Sequence, residues 1–138
     1  MIEIVEQTPT VQQYQEIIKA VGFRGHDPAA VETALKNSIF AACAIDNDEV
    51  VGLGRIVGDG AISFLLTNVI VHPSYQRQGI GSRIVEKLCG LMDSLPYKNV
   101  VLEAVPLPGL ESFYERCGFK SSRGAPPGMV RWFNRVDV

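Results

Sequence analysis

Residues 61–71 run from Ala61 to Val71 with no charged side chain among them and little that water could hydrate. A strand of that kind is stable only with neighbours on both edges and cover on both faces. Gly58, Asp59 and Gly60 turn the chain into it, and His72-Pro73 ends it. In a chain of 138 residues, this central strand forces a mixed sheet with helices packed on it.

The remaining elements are read outward from that strand. Residues 2–5 alternate as a short strand, and Val11, Tyr14, Ile17, Ile18 and Val21 recur at helical spacing until Gly22. Asp27 and Pro28 open a second helix that runs to about Asn37, Asp capping free amides and Pro suiting the first helical position. Residues 39–45 and 50–57 flank the turn residues Asp46, Asn47 and Asp48, which predicts a hairpin. After the central strand, Ile80, Ile84, Val85, Leu88 and Met92 share one helix face. Residues 100–105 read as a strand, 110–116 as a short helix ended by Gly118, and 119–121 and 129–136 as the last strands. The predicted class is α/β: a mixed sheet of six to seven strands with about four helices on both faces, one domain over residues 1–138.

The 13 Lys and Arg against 15 Asp and Glu give a net charge of −2, without the wide basic surface that nucleic acid or anionic membrane requires. No stretch reaches the roughly 18–20 apolar residues of a membrane helix, and the first residues lack a basic start and apolar run, so a cytoplasmic protein is expected. Cys43, Cys89 and Cys117 are widely spaced among apolar residues and read as reduced core thiols. Two histidines, His26 and His72, without spaced cysteine partners, offer no metal ligand set.

Chemistry concentrates where the central strand ends. In Gln76-Arg77-Gln78-Gly79-Ile80-Gly81-Ser82, two glycines allow a tight turn into a helix whose free amides, dipole and neighbouring Arg77 suit a phosphate group. A dinucleotide-binding fingerprint would need a third glycine where Ile84 stands, and no Gly-Lys-Ser/Thr follows to make a nucleotide-triphosphate loop.

These residues resemble the GCN5-related N-acetyltransferases, whose cofactor signature Gln/Arg-x-x-Gly-x-Gly/Ala stands here as Gln76 to Gly81. Val69-Ile70-Val71-His72-Pro73 is similar to that family's central strand and its exit, and Phe113-Tyr114-Glu115-Arg116-Cys117-Gly118-Phe119 to its later Tyr-Glu-x-x-Gly-Phe segment. Residues 127–132 further resemble the ending of small bacterial and plant arylalkylamine-type members. The resemblance implies acetyl-coenzyme A as cosubstrate, with no metal. Its pantetheine arm would lie along the backbone of Val69, Ile70 and Val71, and its pyrophosphate at Gln76, Arg77, Gln78, Gly79, Ile80, Gly81 and Ser82. It implies a backbone amide near Ile70 that polarises the thioester carbonyl and Tyr114 as the acid that protonates the leaving thiolate, a role suited to a phenol of pKa ~10. A homodimer is an assembly the family also forms.

The implied reaction is direct acetyl transfer to a primary amine, of a small molecule, in a ternary complex. Two other readings stay open: acetylation of protein lysines or N-termini, and a non-catalytic acyl-coenzyme A-binding domain. The general base also stays open among His26, Asp59, His72, Glu103 and water, because residues 62–71 carry no carboxylate. Leu107 and Leu110 stand where many members of that family carry an asparagine and an alanine, so side-chain contact there is expected to differ.

Overall fold

The computed structural model describes residues 1–120. The elements are β1 (Glu3–Glu6), α1 (Val11–Ala20), α2 (Pro28–Lys36), β2 (Phe40–Asp46), β3 (Glu49–Gly58), β4 (Ser63–Val71), α3 (Ile80–Asp93), β5 (Val101–Ala104) and α4 (Glu111–Arg116), with a single 3-10 turn at Pro73–Tyr75. Local signals place most of their ends. Thr10 and Gln13 form a reciprocal capping box on α1, Asp27 accepts from the Ala29 amide ahead of Pro28 on α2, and the β2–β3 hairpin turns through Asn47 and Asp48 at positive φ.

The five strands lie in the order β1-β2-β3-β4-β5, antiparallel from β1 to β4 and parallel between β4 and β5. Five among the described residues is fewer than the six to seven expected. Phe119 and Lys120 are not in a strand, and the strand expected at 129–136 and the motif at 127–132 lie outside the described residues. Helices cover both faces of the sheet. Ile80, Ile84, Val85 and Leu88 of α3 pack on Ala42, Ala44, Ile56, Phe64 and Leu66, while Tyr14, Ile17, Ile18, Val31 and Leu35 of α1 and α2 pack on Cys43, Leu53 and Ile70. Gly54 lets α3 come down onto the sheet: a Cβ there would lie 2.8 Å from a methyl of Ile84 and 3.1 Å from one of Leu88. No helix among the described residues is long and apolar enough to cross a membrane.

One irregularity decides the shape of β4. Leu53 pairs with Ile70 and Arg55 with Thr67, so Asn68 and Val69 together oppose Gly54. Asn68 takes φ +54°, a left-handed conformation that Asn tolerates better than most residues. The extra residue changes which side chains face α3: Phe64 and Leu66 do so before it, Val69 and Val71 after it. Asn68 Oδ1 accepts from Arg55 Nε at 2.8 Å, which pins the bulge to β3. Asn68→Ala is expected to cost about 1–3 kcal/mol, because a half-buried guanidinium N–H then loses its acceptor. Urea unfolding at unchanged m-value checks it.

Candidate functional site

The β4–β5 ladder runs from Ser63 opposite Val101 to Leu66 opposite Ala104 and stops one residue short of the segment where the bulge begins. His72 N–H donates to Val51 O at 2.8 Å, so hydrogen-bonded pairing alternates back to Ile70, opposite Leu53. Ile70 therefore turns its backbone toward β3, whereas Val69 and Val71 turn theirs toward the β5 side. Of the three residues read from the sequence, Val69 and Val71 turn their backbone groups to that side, and Ile70 packs in the core under α1 and α2. The gap is a cleft of about 200 Å³ with β4 along one wall, Leu107, Leu110 and Tyr114 along the other, and Phe23 at its mouth. Gln76, expected to touch a phosphate, donates from Nε2 to Val71 O at 2.9 Å and so closes the strand's exit.

The turn after β4 positions the second half of the site. Arg77 and Gly79 both have positive φ, +65° and +78°, and bracket Gln78. Gly79 caps α3 without a side chain, and the first helical bond is Arg83 N–H to Gly79 O at 3.2 Å. The amides of Ile80, Gly81 and Ser82 consequently have no partner within the helix and face out from its positive end. A Cβ on Gly79 would meet no atom within 4 Å, so the turn itself is uncrowded. Arg77, Gln78 and Ser82 are exposed around it; the Ile80 side chain is in the core, and Gly81 backs onto the ring of Phe113 at 3.4 Å from its would-be Cβ. The arrangement fits a ligand with a diphosphate at one end and a slender polar arm that can bond to a strand edge.

Tyr114 stands on α4 with its ring held edge-on between Phe113 and Phe119, at centroid distances of 5.0 and 5.7 Å. Burial, and to a lesser degree the neighbouring Cys117, raises its ionisation above the ordinary phenol value, so the hydroxyl is a neutral donor at pH 7. The Cys117 thiol is likewise pushed up by burial, against a smaller opposing hydrogen bond from Ser82. Cys43 is fully buried and raised to about 11. Neither has the depressed pKa of an activated nucleophile.

The structure disperses the four candidate bases. Asp59 Oδ1 accepts from the amides of Ala61, Ile62 and Ser63 at 2.8, 2.8 and 3.1 Å, at the end of β4 remote from the glycine turn. Those bonds hold its carboxyl below the ordinary range, which weakens it as a base. A depressed carboxyl contributes stability that is present above its unfolded pKa of ~3.9 and lost as pH falls through the folded value. Asp59→Ala is thus expected to melt below the parent at pH 7 and to converge on it in acid, as melting curves against pH will show. His72 Nδ1 accepts from Ser74 N–H at 3.1 Å. Glu103 is exposed on β5 opposite Leu65, and His26 lies by a separate pocket between α1 and α2. The sequence reading missed Arg55 and Asn68; the asparagine within an otherwise apolar run was the available signal.

Comparison with known proteins bears on this geometry. The model of the acetyltransferase (GNAT) domain matches residues 36–121. The chain is 29% identical over 123 residues to the chloroplastic GCN5-related N-acetyltransferase 1 of Arabidopsis thaliana, covering 87% of this chain and 61% of that protein, so it spans about three fifths of that relative's length. Among solved structures, a GNAT-family acetyltransferase of Streptococcus pneumoniae is 34% identical with a TM-score of 0.79, covering 98% of this chain and 99% of its own. A Staphylococcus aureus protein described as a probable acetyltransferase is 26% identical with a TM-score of 0.87, covering 96% and 100%.

Proposed function

Since the chain belongs to the GNAT acetyltransferase family, we propose that it transfers the acetyl group of acetyl-coenzyme A directly to the primary amine of a small molecule, in a ternary complex and in the cytoplasm. The observation that carries this reading is the gap beside β4, where the ladder to β5 stops at Leu66 and an unpaired strand edge shares a cleft with Tyr114, with the open amides of α3 following the exit of the same strand. Acetyl-coenzyme A would supply the activated acyl group as a thioester.

The chain's own residues then have separable tasks. Outward-facing backbone groups of Val69 and Val71 hold the pantetheine arm as a further strand would be held, although Val71 O already accepts from Gln76. A β4 amide facing the gap polarises the carbonyl; the alternation of the ladder gives that position to Val69 in preference to Ile70. The amides of Ile80 to Ser82, with Arg77 nearby, hold the diphosphate. Tyr114, neutral in the resting protein, delivers a proton to the departing sulfur. Leu107 and Leu110 replace polar side-chain contact with an apolar wall.

A screen of amines with free-thiol release as readout tests the activity. Amine-dependent release is expected, with no acetylated protein accumulating in intact-mass spectra, since no thiol is activated. A stoichiometric acetyl adduct on Cys117 that an amine removes would overturn direct transfer.

A further inference from the structure

A second pocket, of about 150 Å³, opens between α1 and α2 on the face of the sheet away from α3, and Arg55, Tyr14 and His26 line it. Arg55 is half-buried there. It donates from Nε to Asn68 Oδ1 at 2.8 Å and from Nη1 to Ser38 Oγ at 3.3 Å and Ala34 O at 3.4 Å, and every one of these acceptors is neutral. Among the described residues no carboxylate is paired with it. A guanidinium does not lose its proton, so the pocket holds a permanent positive charge surrounded by dipoles without a counter-charge. The Tyr14 hydroxyl interacts with both Arg55 and Asn68 and, kept neutral by burial, adds a donor.

The location gives this charge a purpose. Asn68, which accepts from Arg55, also lines the β4–β5 cleft, and the loop after α1 sends Phe23 to the cleft and His26 to the pocket. One side chain, Asn68, connects the two spaces, and an extended acceptor with its amine in the cleft and its acid end in the pocket would pass beside it. We propose that the Arg55 pocket binds a carboxylate carried by the acyl acceptor, which makes the acceptor an amino-acid-like amine and not a simple cation. The assignment deepens the acetyl-transfer reading and rests on it. The guanidinium nitrogen that none of the three Arg55 bonds uses can donate to a carboxylate oxygen, and about 150 Å³ is room for that group and the carbons beside it.

Two measurements test it, with Ala30→Glu as the principal variant. Ala30 lines the pocket from the exposed side of α2, so a glutamate there supplies an internal counter-charge without touching the Arg55 hydrogen bonds. Arg55→Gln is the second variant, used where melting shows it folded. In the first measurement, benzoate is titrated into protein free of acetyl-coenzyme A; saturable binding is expected for the parent and loss of it in Ala30→Glu. In the second, thiol release is compared for amines with and without an α-carboxylate, phenylalanine against phenethylamine and lysine against cadaverine. The carboxylate-bearing member is expected to be favoured about tenfold or more in kcat/KM, and Ala30→Glu to erase that preference. A parent that prefers the decarboxylated amines, or a preference that both variants keep, overturns the proposal. Benzoate binding equal in parent and Ala30→Glu overturns it without touching the acetyl-transfer reading, whereas thiol release with none of the amines overturns both.

Discussion

Tyr114→Phe is expected to lower kcat by roughly 10–10⁴-fold while leaving acetyl-coenzyme A affinity within about twofold of the parent. The substitution removes one oxygen and keeps the ring, so the edge-on contacts with Phe113 and Phe119 that position α4 persist. The wide range follows from water, which can partly replace the hydroxyl as acid. A tyrosine present only for packing would give a variant with parental turnover. Single-turnover measurements are needed because product release can mask a slowed chemical step. Parental rates there would leave solvent as the proton source. The raised ionisation of Tyr114 adds a pH signature: any alkaline loss of activity through this group should come at higher pH than for an ordinary phenol.

Gly79→Val is expected to weaken acetyl-coenzyme A binding about 10–100-fold, the loss of one or two charge-assisted amide bonds. Gly79 holds φ +78° at the start of α3, a conformation in which a β-branched residue is an outlier. Valine relaxes by moving the turn, and the amides of Ile80, Gly81 and Ser82 swing with it. A Cβ at this position meets nothing within 4 Å, so the core is not crowded, and the backbone strain alone should lower melting modestly. Calorimetry on the folded variant decides the matter: unchanged affinity would remove the diphosphate from this turn. Gly81 answers a different question, because its would-be Cβ faces Phe113 and substitution there presses α3 against α4.

The elements legible in the sequence were those with signals inside a few residues. Asp27 before Pro28, the Asn47-Asp48 turn and the glycine turn at 76–82 each announce a local conformation, and each is present, whereas the Thr10–Gln13 box went unread. What depends on pairing across the sheet was not legible. Nothing near Ile70 says that its amide turns toward Leu53, because that follows from a register counted back from His72 and Val51. Arg55 and Asn68 are 13 positions apart, and neither has a neighbour that predicts their bond. Asp59 was readable as a turn residue and as a base; the three amides converging on one oxygen account for the first role.

The bulge in β4 places an unusual kind of information in the chain. Between the Arg55–Thr67 and Leu53–Ile70 pairs, β3 spends one residue and β4 two, and no substitution alters that arithmetic. Deleting Asn68 does. The strand would return to strict alternation with Val69, Ile70 and Val71 on the sides and faces they hold now, because the bulge absorbs its extra residue without changing them; what goes is the local bend and the acceptor of Arg55. The bend beside the opening to β5 is therefore written as a length, one residue more in β4 than in β3, and exchanging side chains along the cleft leaves that count intact. A chain shortened by this single residue would keep every other residue that lines the cleft, so the width of the cleft in it reads the bulge alone.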